Sequence, residues 1–186
     1  MPIRVQTEDF DLGQEIAALR AGSPQVGAVA SFIGTVRDIN DGQSVSEMEL
    51  EHYPGMTEKA LEQIVAAARQ RWEIIDALVI HRVGPLRPLD QIVLVAVTSA
   101  HRGEAFAACE FIMDYLKSEA PFWKKEQTPS GARWVDARVS DDAALKRWGI
   151  ETGNAGGAAE PPDSSSDAAS GPAAGETVTS SQGSRT

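Results

Sequence analysis

Only one cysteine, Cys109, occurs among 186 residues, so no disulfide can form within the chain. No apolar run approaches the ~18 residues that a membrane span requires, and the N-terminus has no basic region followed by an apolar stretch. Walker and dinucleotide-binding glycine patterns are missing, as are internal repeats. Positive charge is scarce: 17 Lys and Arg stand against 27 Asp and Glu, a net charge of −10. An acidic chain without a basic helix argues against nucleic acid or an anionic membrane as partner. These absences point to a cytoplasmic protein.

A further lack divides the chain. Beyond Ile150 there is no Leu, Ile, Phe, Trp or Tyr, and Val178 is the only branched aliphatic residue. Gly, Ala, Ser and Pro make up most of that segment. Such a composition cannot bury enough apolar area to offset the entropy of ordering it. We therefore expect one folded domain over residues 1–150 and a flexible low-complexity tail over 151–186.

The first 150 residues can build a core. Residues 3–5 read as a short strand and 9–20 as a helix capped by Asp9. Residues 26–36 form a small, apolar strand that ends at Arg37, beside a polar loop over 38–42. Residues 46–53 alternate apolar and polar, the pattern of a strand with one wet face. Thr57 is placed to cap a helix running to Trp72, whose Leu61, Ile64, Val65 and Ala68 repeat at helical spacing. Strands follow at 75–83 and 91–98. The second is apolar on both faces and should be covered on both sides. A turn-rich connector over 84–90 joins them.

A helix then spans 102–117, with Phe106 and Met113 flanking its apolar face, and Pro121 blocks its continuation. Residues 122–127 and 133–139 form a hairpin across which Trp123 and Trp134 could face each other. Asp141 can cap a last helix through Trp148. This order of elements predicts an α+β fold with an antiparallel or mixed sheet.

The chemistry concentrates in residues 99–138. That stretch holds His101, Arg102, Lys117, Lys124, Lys125, Arg133 and Arg138 in an otherwise acidic chain. Cations gathered this way suggest a local anion site. His101 and Arg102 open a helix, where unpaired N–H groups favour phosphate; the plainer alternative is a cap and a solvated arginine. Lys117 sits at the helix end, where the dipole alone would favour a cation. The tight turn at 118–121 brings it back toward Lys124 and Lys125. Those two point to opposite faces of one strand, so only one can share a pocket with Lys117. Parity leaves the choice open, although Lys124 shares a face with Phe122 and Glu126. His52 and His81 lack metal-ligand spacing, so no metal and no cofactor is expected. Cys109 reads as core.

Five segments carry a resemblance over nearly all of residues 1–150: 32–37 (FIGTVR), 50–56 (LEHYPGM), 81–84 (HRVG), 99–102 (SAHR) and 120–126 (APFWKKE). Together they resemble the large, catalytic subunit of molybdopterin synthase, the MoaE family. The resemblance implies an α/β-hammerhead-like domain, a homodimer, and one small ubiquitin-like sulfur-carrier subunit (MoaD-like) at each end of a heterotetramer. It implies a sulfurtransferase of molybdenum cofactor biosynthesis. Sulfur would pass from the carrier's thiocarboxylated C-terminal Gly-Gly to cyclic pyranopterin monophosphate, making the molybdopterin dithiolene. Matched position by position, Lys117 and Lys124 take the catalytic places. Arg37, His101, Arg102, Lys125 and Glu126 take the substrate-binding ones.

The substrate and the donor are both anions, which agrees with a surplus of fixed positive charge. This sequence closes on 183–186 (GSRT) rather than Gly-Gly, so the donor is expected to be a separate small protein. The rival reading is a non-catalytic module that binds a ubiquitin-like tail or a phosphorylated metabolite. The compositional break at Ile150 makes a first prediction. Removing residues 151–186 should leave the thermal unfolding midpoint unchanged by calorimetry; a lowered midpoint would mean that the segment contributes to the folded unit.

Overall fold

A computed structural model describes residues 3–40, 42–129, 131–135 and 146–149. The expected tail, Arg138, Asp141 with the start of its helix, and the far end of the predicted hairpin all lie outside these residues. In chain order the elements begin with β1 (Ile3–Gln6), α1 (Leu12–Ala21), β2 (Ala28–Thr35), β3 (Ile39–Asn40), β4 (Gln43–Ser44) and β5 (Glu47–His52). They continue with α2 (Met56–Arg71), β6 (Ile74–Arg82), β7 (Gly84–Leu86), β8 (Gln91–Ser99), α3 (Arg102–Glu119), β9 (Phe122–Thr128) and β10 (Gly131–Val135). The fold is α+β, as its element order predicted.

Two four-stranded sheets carry the structure. The first runs β1-β6-β8-β2, with β1 and β6 parallel and the other pairs antiparallel. The second runs β10-β9-β5-β7 and is antiparallel throughout. β8 lies inside the first sheet and is covered on both faces, as its unbroken apolar run required. Val93, Val95 and Val97 face a core shared with Leu61, Ile64, Ala68, Phe111 and Ile112 of α2 and α3. Leu94 and Ala96 face Phe10 and Leu19 of the α1 layer. Among the described residues no helix is long and apolar enough to cross a membrane.

The local boundaries differ from expectation for identifiable reasons. Asp11, not Asp9, caps α1, accepting from the Gln14 amide at 2.9 Å. The Asp9 carboxylate is occupied elsewhere, by the Phe10 amide and Gln91 Nε2, both at 2.9 Å. α2 starts one residue before Thr57. Gly55 stands at its N-cap, and the Glu58 carboxylate accepts from the Gly55 amide at 2.6 Å. Thr57 is instead fully buried; its hydroxyl accepts from the Tyr53 amide and donates to the Pro121 carbonyl. The connector over 84–90 contributes β7, which pairs with β5.

Phe106 is 65% exposed and does not flank the core. Trp123 and Trp134 do not face each other, because the register sets Trp134 opposite Lys125. Trp123 packs edge-on against Tyr53 instead.

Gly27 lies where β2 approaches the turn after β8, and its amide donates to the Ser99 carbonyl at 3.0 Å. A Cβ there would fall 2.3 Å from the Ala100 carbonyl oxygen, a backbone atom that cannot swing aside. Gly27→Ala should therefore destabilise the fold by about 1–3 kcal/mol, the usual cost of overpacking. Denaturant unfolding measures this, and an unchanged midpoint would refute the close approach.

Candidate functional site

The two sheets and the C-terminal end of α3 enclose a cavity of about 690 Å³. Its floor is apolar, with Met48 and Leu50 of β5, Ile92 and Val93 of β8, and Met113 and Leu116 of α3. Its polar wall carries Arg37, Asn40, His81, Lys117, Lys124 and Glu126. The local sequence explains each placement. Arg37 follows the end of β2, where the chain leaves the sheet. Lys117 stands in the last turn of α3. Ala120 and Pro121 then turn the chain into β9, and the alternation of β9 points Phe122, Lys124 and Glu126 to one side.

Glu126 holds the wall together. Its side chain is 1% exposed, Lys124 Nζ lies 2.6 Å from Oε1, and Asn40 Nδ2 donates to the same oxygen at 2.8 Å. Asn40 Oδ1 in turn accepts from Arg37 Nη2 at 3.2 Å. A buried carboxylate with charged and polar partners is tolerated, whereas an unpaired one would not be. Lys117 also lines the cavity, and among the described residues no carboxylate forms an ion pair with it. An acidic chain thus turns three cations toward one apolar hollow, and such a space suits an anion with a planar or apolar body.

The remaining predicted residues lie elsewhere in a single chain. Lys125 is on the opposite face of β9. Its ammonium sits 5.4 Å from the Trp134 ring centre and borders a separate cleft with Glu47 and Glu49. His101 and Arg102 are at the N-terminal end of α3, both exposed. Fifteen residues of helix separate Arg102 from Lys117, which is about 22 Å along the axis. One chain therefore brings Arg37, Lys117, Lys124 and Glu126 together and holds His101, Arg102 and Lys125 apart from them.

The sequence does not mark two further residues as part of this wall. Asn40 sat in a polar loop with no mark beyond its nearness to Arg37. His81 sat in an apolar strand; the signal was a lone polar residue on the inward face of β6. Its ring stacks on Phe122 with centroids 3.7 Å apart and planes 15° apart, and Nδ1–H donates to the Arg82 carbonyl at 2.9 Å. Burial, opposed by that hydrogen bond and aided by nearby His52, lowers its pKa to about 4, so the imidazole is neutral near pH 7. Cys109 is core, as expected: burial raises its thiol to about 11, which leaves no nucleophilic thiolate near neutral pH.

The family model for the MoaE protein matches residues 5–119. A molybdopterin synthase catalytic subunit from Ralstonia nicotianae is 83% identical over 156 residues, covering 84% of this chain and 89% of its own length. A molybdopterin biosynthesis MoaE protein structure from Burkholderia ambifaria superposes with a TM-score of 0.71 at 66% identity, covering 81% of this chain and 99% of that one. A molybdopterin synthase structure from Staphylococcus aureus superposes at 0.66 with 34% identity, covering 72% and 96%.

The His81 environment makes a pH prediction. A histidine whose pKa falls from 6.5 to about 4 on folding contributes stability in full above pH 6.5 and loses it as pH drops toward 4. The loss should reach about 3 kcal/mol. His81→Asn should flatten that part of the profile relative to the parent chain in denaturant unfolding at stepped pH; parallel profiles would show that His81 protonates freely in the fold.

Proposed function

The chain belongs to the MoaE protein family, and from that premise we propose that it works as the catalytic subunit of a molybdopterin synthase. The single observation that carries this is the convergence of Arg37, Lys117 and Lys124 on one cavity in a chain of net charge −10. The reaction joins two anions, a cyclic pyranopterin monophosphate and the thiocarboxylate of a small carrier protein. Fixed cations lower the cost of bringing them together and stabilise charge as sulfur attacks. In this reading Arg37 holds the substrate, while Lys117 and Lys124 orient the thiocarboxylate. Glu126, occupied by Lys124 and Asn40, positions the lysine more than it meets the anion.

His101 and Arg102 enter the reading through the dimer. They cannot reach the cavity of their own chain across the length of α3, but the matching end of a second copy can supply them. Isologous pairing would then build two composite sites per homodimer, each receiving one carrier. Lys125 would meet the carrier from the outer face of β9, not the substrate. The catalytic unit in this reading is residues 1–150. We place the reaction in the cytoplasm, in keeping with a chain that makes no use of the disulfides an oxidising compartment allows.

Two experiments test this. Lys117→Ala should lower dithiolene formation from thiocarboxylated carrier and cyclic pterin by about a hundredfold or more while carrier binding persists. A variant that turns over normally would sink the lysine assignment, and a wild-type chain that forms no product would favour a pure binding module. Mixing Lys117→Ala with Arg102→Ala chains should restore activity that neither has alone, because every dimer that pairs one chain of each kind regains one intact site, and random pairing of an equal mixture makes half of the dimers of that kind. No recovery on mixing would argue that Arg102 serves its own chain or none.

A further inference from the structure

Asn40 is 4% exposed, yet it belongs to the two-residue strand β3 in a polar connection. Its burial follows from the small hairpin of β3 and β4, closed by the Val45 amide on the Asp38 carbonyl at 2.8 Å, which folds the amide against β9. There it spans two charged groups: Oδ1 accepts from the Arg37 guanidinium at 3.2 Å, and Nδ2 donates to the Glu126 carboxylate at 2.8 Å. The orientation is dictated by chemistry. Turned over, the amide would set an oxygen against a carboxylate and an NH₂ against a guanidinium, opposing both contacts. Aspartate accepts only and alanine does neither, so the link needs a side chain that accepts at one end and donates at the other.

We propose that Asn40 is a positioning residue that ties the Arg37 guanidinium, through Glu126, to the Lys124 ammonium, so that two cations on separate elements face the substrate anion as one unit. Arg37 lies past the end of β2, and a long arginine loses rotamer freedom when it binds. A tether to a fully buried carboxylate removes that freedom before the anion arrives, and preorganised charge binds better than mobile charge. Among the described residues, the charged and titratable groups that line the cavity around the amide are Arg37 on its own segment, Glu126 and Lys124 on β9, and, across the cavity, Lys117 on α3 and His81 on β6.

The consequence for catalysis rests on the proposed function; the tether itself does not, so the test has one arm for each. In the first, the guanidinium signals of Arg37 are identified by their loss in Arg37→Lys, and rotation about the guanidinium is followed by NMR. The parent chain should show slowed rotation, and Asn40→Ala should release it. Unchanged rotation overturns the tether. In the second arm, Asn40→Ala should raise KM for the cyclic pterin substrate about tenfold to a hundredfold, the range for losing a hydrogen bond to a charged group, with kcat falling less. Asn40→Asp has the same shape but lacks the donor and adds a negative charge, so it should be at least as damaging as Asn40→Ala. If Asn40 only fills space, Asn40→Asp is the milder change and KM is unaltered in both, which also overturns the proposal. Should Asn40→Ala fail to fold, Asn40→Ser supplies the same comparison. A parent chain without product removes the function reading, and the rotation measurement alone then decides the tether.

Discussion

Glu126 sits inside the cavity wall with Lys124 2.6 Å away and Asn40 at 2.8 Å on the same oxygen. Gathering cations around a hollow is opposed by their mutual repulsion. Two like charges about 5 Å apart at an effective dielectric of 20 repel by roughly 3 kcal/mol. One buried carboxylate offsets part of that cost and fixes Lys124 in direction. It leaves Lys117 and the outer face of Arg37 to carry the attractive field. The desolvated carboxylate is itself held in place by its partners, so removing any one exposes a cost in the others. The wall therefore acts as a unit, and under the proposed function an entering anion would complete its charge balance.

The length of α3 is the second constraint. Its C-terminal turn must reach the cavity, where Lys117 adds a positive charge beside the negative end of the helix dipole. Its N-terminal end, with His101 and Arg102, then stands about 22 Å away. The rigidity of a helix turns a short sequence separation into a distance no side chain spans. In the proposed homodimer the same rigidity would be useful, because the two ends of one straight helix would each serve a different cavity.

The pairing of β9 with β5 does the rest. It presents Lys124 and Glu126 inward over the apolar residues of β5 while Trp123 and Lys125 face outward. The inward face lies across from His81, whose ring is pressed against Phe122 at the edge of the main core. The hollow thus forms where two sheets diverge at the end of a helix, with apolar packing beneath it and charge at its rim. Neither sheet alone could enclose it.

Some of this was readable without coordinates. The apolar run of β8 required a strand covered on both faces. The helix before Pro121 had to end there, and the alternation after it put Lys124 with Glu126 and apart from Lys125. These are local consequences of period, sterics and chirality, and no distant contact overrides them. Cap positions were less legible, because Asp9, Asp11, Gly55 and Thr57 compete for similar hydrogen bonds and packing decides among them. Asn40 and His81 were invisible as wall residues, since nothing in a polar loop or a strand pattern says which other element will close over it. The sequence by itself determined which elements form and which side chains share a face, because those follow from repeats of two and 3.6 residues. Only the tertiary structure decided that Arg37, 89 residues before Glu126 in the chain, would be joined to it through one amide, because contacts between distant segments depend on how whole surfaces pack.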